Sequence, residues 1–160
     1  MVWGCFINNQ PGPLVLVKGK LNADGYIEIL QKNLLPFLSQ LGPNTYIFQE
    51  DNAPIHTAKK VAKWKGENMV ISFSWPAQSP DLNPIEHVWD RLERGIRGRT
   101  SPPKNLNELA TAVEEEWSKL DPNYLEDTTL DGLNTEWFDK TAKDLIEGRF
   151  KFTPARQILI

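Results

Sequence analysis

Asp51, Glu86 and His56 are the residues whose types and spacing could carry chemistry. Thirty-four residues lie between Asp51 and Glu86. Carboxylate oxygens are hard ligands suited to Mg²⁺ or Mn²⁺. Two such ions about 3.5–4 Å apart can activate an attacking oxygen and steady a leaving one in phosphodiester cleavage. That arrangement takes several carboxylates, and Asp51 and Glu86 supply two of them. Each residue also has a plainer reading. Asp51-Asn52 suits a turn or a helix N-cap. With Asn83 as N-cap and Pro84 as the first helical residue, Glu86 falls in the third helical position of a capping box. His56 could bind metal or move a proton, but reads more simply as a support for the ligands or as a helix-start residue. His87 reads as structural.

Elements must bring the two carboxylates together. Asp51 follows TYIFQ, Thr45–Gln49, a short aromatic and β-branched run that predicts a strand ending at the acid. Glu86 sits in WPAQSPDLNPIEHVWDRL, Trp75–Leu92. There Pro80 and Pro84 fix backbone angles around Asp81-Leu82-Asn83 before a helix over Pro84–Ile96. A stiff entry fixes where Glu86 points. Asp81, close by in the loop, could assist. Trp75 and Trp89 read as packing residues rather than as platforms for bases.

The other elements follow from periodicity. Met1–Phe6 and Leu14–Val17 predict an antiparallel hairpin turned at Gln10–Pro13. Asn22-Ala23-Asp24 opens a helix carrying Tyr26, Ile29, Leu30, Leu34, Phe37 and Leu38, with Pro36 bending or shortening its last turn. After Pro54 comes a helix with Lys59, Lys60, Lys63 and Lys65 toward solvent and Val61 and Trp64 inward. Met69–Phe73 predicts a fourth strand. Leu106–Leu120 is an amphipathic helix with the stripe Leu106, Leu109, Val113 and Trp117. A last helix near Trp137–Ile146 and a frayed end complete the expectation. The order predicts a mixed α/β sheet covered by helices, with any site where strands end.

Composition sets bounds. The chain has 160 residues, 40% hydrophobic and 24% charged, which suits a globular domain with a real core. Cys5 is the one cysteine, so no disulfide forms within the chain. No apolar run predicts a membrane span, and the N-terminus does not read as a signal peptide. The net charge of −3 hides a basic middle segment and an acidic last third. Lys59, Lys60 and Lys63, with Arg91, Arg94 and Arg97, are candidates for phosphate contacts; the even alternative is a solvated helix face.

The blocks QEDNAPIHTAKKVAKW and WPAQSPDLNPIEHVWDRLERGIR, in that order, resemble the catalytic domain of Tc/mariner transposases, as does the upstream VWGCF…GPLVLVKGKLNADGYIEILQKNLLPFL. The resemblance covers about Met1–Trp117. It implies a ribonuclease-H-like α/β fold and a DDE-type site, in which Asp51 matches the second catalytic aspartate and Glu86 the third acid. It implies Mg²⁺ or Mn²⁺ at these two residues, with Asn52, His56, Asp81 and Asn83 assisting. DNA ends and target DNA are the implied partners, in a homodimer and without a membrane. The implied location is nuclear in a eukaryote and cytoplasmic otherwise. The family's first aspartate lies on a strand upstream of VWGCF, so residues 1–120 are expected to form an incomplete catalytic domain and 121–160 a divergent tail. Three expectations follow: a central sheet edge left bare, weakly bound metal, and no DNA cleavage by this chain alone. The alternative is a non-catalytic transposon remnant that binds DNA or a protein.

Overall fold

The computed structural model describes residues 1–42, 46–72, 83–133 and 156–159, with the backbone alone for 130–133 and 156–159. Strand β1 (Val2–Ile7) pairs antiparallel with β2 (Gln10–Leu16). Helix α1 (Ala23–Ile29) runs through a π-helical turn, Leu30–Leu34, into α2 (Leu35–Leu41). Then follow β3 (Tyr46–Gln49), α3 (Lys59–Glu67), β4 (Ile71–Ser72), α4 (Ile85–Arg97), α5 (Leu106–Ser118), α6 (Pro122–Leu133) and β5 (Arg156–Leu159). The sheet order is β2-β1-β5-β3-β4.

Strand β1 shows why the sheet has helices on both faces. Its side chains alternate with the strand period. Trp3, Cys5 and Ile7 enter one apolar cluster with Tyr26, Leu30, Leu34, Phe37, Phe48 and Val61. Phe6 enters the other, with Ile85, Val88, Leu92, Val113, Trp117 and Leu125. Gly4 faces that second side beneath two indoles. A Cβ there would stand 2.9 Å from Trp89 and 3.0 Å from Trp117, so only glycine leaves room for them. Trp89 and Trp117 stack with centroids 5.5 Å apart, which makes Trp89 a packing residue.

Several expectations change. The Gln10–Pro13 segment is strand, not turn; the reversal is at Asn8-Asn9, with Asn8 at φ 49°. Its prolines are tolerated because β2 is an edge strand and its register shifts between Gly4 and Phe6. Pro36 distorts its helix, as expected, but ahead of itself and without shortening the last turn. The π turn just before it accommodates the missing N–H and the ring, and the helix runs on to Leu41. The α5 stripe is only half buried: Val113 and Trp117 are inside, but Leu106 is 81% exposed and Leu109 39%. Leu106 opens the helix at a point that no described element covers. The expected frayed end holds a strand. β5 lies between β1 and β3, antiparallel to the first through Phe6↔Leu159 and parallel to the second from Tyr46↔Arg156 to Gln49↔Leu159. The central edge expected to be bare is therefore paired, by the segment most distant in sequence. The helix near Trp137–Ile146 lies outside the described residues.

Candidate active site

Strand β3 delivers Asp51 two residues beyond its last ladder position, at the end where β3 and β5 run in parallel. The chain then turns back on itself. Ala53 N–H donates to Asp51 Oδ1 at 2.9 Å, and His56 and Thr57 N–H both donate to Ala53 O. That turn carries His56 round to Asp51, whose Oδ1 lies 2.6 Å from His56 Nδ1. Both contacts fall on the same carboxylate oxygen, and the Asp51 side chain remains 56% exposed. Asn52 is exposed beside it.

Behind Asp51 lies a polar cluster that sequence reading missed. Glu50 is buried. It accepts a 2.6 Å hydrogen bond from Tyr26 Oη on α1 and an ion-paired hydrogen bond from Lys65 Nζ on α3, and Lys65 is itself buried. Lys65 is therefore not on the solvent face with Lys59, Lys60 and Lys63. It lies four residues after Val61, on the same buried stripe. Glu50 lies two residues after buried Phe48, so the strand period turns both inward. These two offsets were the available signal. Tyr26 keeps its proton well above the usual tyrosine range, through burial first and the Glu50 carboxylate next. Its ring also packs on that of His56, centroids 4.6 Å apart at 35°.

Glu86 arrives from the other cluster. Pro84, with helical angles, stands at the N-cap of α4, one residue later than expected, and Ile85 N–H donates to buried Asn83 Oδ1 at 3.3 Å. Glu86 N–H donates to Asn83 O. The apolar residues Ile85, Val88 and Leu92 press α4 onto the core while Glu86 stays on its open side. Its carboxyl is held above the usual glutamate range, chiefly by partial burial and next by the charge of Asp51, with His87 opposing. His87 is exposed, and its carbonyl accepts from Tyr124 Oη at 2.9 Å.

The basic candidates are mostly paired. Lys60 meets Asp24 at 2.6 Å, Lys63 meets Glu67 at 3.7 Å, Arg94 meets Asp90 at 2.8 Å, and Arg97 meets Glu93 at 2.5 Å. Arg91 lies 4.3 Å over the Tyr124 ring. Lys59 is exposed, with no ion pair among the described residues. Asp81 and Trp75 lie outside the described residues.

The family model described as DDE superfamily endonuclease matches residues 1–110. This chain belongs to that superfamily. Within it the chain is a Tc/mariner transposase DDE domain. It is 37% identical over 133 residues to the Tcb1 transposase of Caenorhabditis briggsae, covering 83% of this chain and 48% of that protein. It is 40% identical over 115 residues to the Tc1 transposase of Caenorhabditis elegans, covering 70% of this chain and 42% of that one. The chain therefore spans about half the length of these curated relatives. The catalytic domain of the Mos1 mariner transposase superposes with a TM-score of 0.70 over 92% of this chain and 75% of that one, at 19% identity. That likeness shows the ribonuclease-H-like fold.

Proposed function

We propose that this chain forms the greater part of a catalytic domain that cuts transposon ends and joins them to target DNA, with Asp51 and Glu86 as two of its metal-holding carboxylates. One observation supports the reading: Asp51 and Glu86, with 34 residues between them in sequence, are near enough that the Asp51 charge adds to partial burial in holding the Glu86 carboxyl above its usual range. Folding gains nothing from that repulsion, and a divalent cation between the two groups relieves it. The donors are hard oxygens that fit Mg²⁺ or Mn²⁺. Among the described residues no group of three or more acidic, histidine or cysteine side chains is arranged to hold a metal ion. Two carboxylates fit the ion in part and hold it weakly.

Asp51 would hold the ion through its outward oxygen, since His56 and Ala53 occupy Oδ1. Glu86 would hold it from the first turn of α4. A bound divalent ion would polarise the phosphodiester and favour an attacking oxygen. This chain's residues supply the rest: Asp51 enters preset by its turn, and Glu86 presents its carboxyl from the open side of α4. Lys59, at the start of α3, is the exposed cation best placed to meet a DNA phosphate.

Manganese binding to the full chain, followed by electron paramagnetic resonance, tests the site. We expect weak binding, lost in Asp51→Asn and in Glu86→Gln. Equal binding by wild type and both variants would remove the site. A supercoiled plasmid incubated with the chain and Mn²⁺ should stay un-nicked. Nicking abolished by Asp51→Asn would show that the two carboxylates suffice.

A further inference from the structure

The buried acid Glu50 has no part in the chemistry proposed above, yet it is the peptide neighbour of Asp51. Lys65 of α3 and Tyr26 of α1 fasten its two carboxylate oxygens separately. That fixes the backbone from which Asp51 projects. The same Tyr26 offers its ring to His56, and His56 reaches Asp51 Oδ1 at 2.6 Å. One tyrosine therefore grips Asp51 by two routes, through the main chain by its hydroxyl and through the side chain by its ring. A buried ion pair adds little to stability compared with apolar residues of the same shape. A cluster so placed is better explained by what it orients.

We infer that Tyr26, Glu50, Lys65 and His56 form a positioning device that locks Asp51 in one rotamer, with Oδ1 engaged and its other oxygen presented to the cation. This inference rests on the reading of Asp51 as a metal-holding carboxylate. Tyr26 and Lys65 act at a distance, through Glu50 and His56. His56 touches the carboxylate itself, so its removal should have the larger effect.

The test uses the full chain and two readouts. Side-chain couplings of Asp51 by NMR report its χ1 distribution without metal, and Mn²⁺ titration reports affinity. Wild type should show a single χ1 state. Tyr26→Phe keeps the ring on His56 and removes the hydroxyl; His56→Ala removes the contact to Asp51. Both should average χ1 and weaken Mn²⁺ binding, His56→Ala by about tenfold. His56→Asn, whose amide nitrogen can stand where Nδ1 stood, should restore both. Melting temperature separates orientation from bulk stability: Leu125→Ala, destabilised in the opposite cluster, should keep one χ1 state and full affinity. Tyr26→Phe and His56→Ala that melt earlier but keep a single χ1 state would reduce the cluster to a brace and overturn the inference, as would averaged χ1 in wild type. The expected χ1 pattern with no Mn²⁺ binding in any protein would uphold the positioning device and sink the metal reading alone.

Discussion

The two carboxylates of the site are held in opposite ways. Asp51 is gripped by polar contacts at its own side chain and at its neighbour Glu50. The Glu86 carboxyl has no hydrogen bond to a described residue; only its backbone N–H does, to Asn83 O. Its position comes entirely from the helix beneath it, which the apolar residues Ile85, Val88 and Leu92 clamp to the sheet. One acid is set before any ligand arrives. The other is aimed but left electrostatically unsatisfied. If the two acids share a cation as proposed, the fixed oxygens of Asp51 would lose little freedom on binding and the cation would relieve the charge that Glu86 feels from Asp51.

That contrast predicts which substitutions reach which acid. The largest effect belongs to Lys65→Met. It leaves Glu50 buried without its cation and should cost about 3–5 kcal/mol, read by urea unfolding, with the Asp51 turn disturbed and α4 intact. A loss below about 1 kcal/mol would mean that Glu50 is relieved in some other way. Next is Leu92→Ala, which empties space under α4 and should cost about 2–4 kcal/mol. It should loosen Glu86 while leaving the Asp51 rotamer unchanged. Disturbance of both acids would break the division. Asn22→Ala removes the side chain that caps α1, the helix bearing Tyr26, by accepting from Gly25 N–H. The expected loss is about 1 kcal/mol, again confined to the Asp51 side.

The smallest effect is the most diagnostic. The folded chain keeps the proton of Glu86 to a higher pH than the unfolded chain does. Between those two values the folded state binds more protons, so this group's contribution to stability falls as pH rises through that window. Glu86→Gln should therefore leave the melting temperature at pH 7 unchanged or slightly higher. In an NMR titration the Glu86 midpoint should lie above that of ordinary glutamates, fall in Asp51→Asn, and fall again with Mn²⁺. A midpoint indifferent to Asp51→Asn would mean that the two charges do not meet.

Much of the site was legible because its signals are local. Pro84 after Asn83 announces the helix that aims Glu86, and the apolar run before Gln49 announces the strand that ends at Asp51. What was illegible is non-local. Lys65 looks like its lysine neighbours until Tyr26 and Glu50 are brought to it from two other elements. The prolines at 11 and 13 read as a turn because nothing in their neighbourhood says that β2 is an edge. The segment at 156–159 carries no strand signal that outweighs its surroundings, since its pairing partners lie more than a hundred residues away.

That last segment sets the order in which the molecule can assemble. The β1–β2 hairpin and the β3–α3–β4 crossover can each form from nearby residues, but they share no ladder until β5 enters between them. Among the described residues β5 alone closes that seam: without residues 156–159 the inner borders of β1 and β3 are open strand edges, a ready seed for clumping.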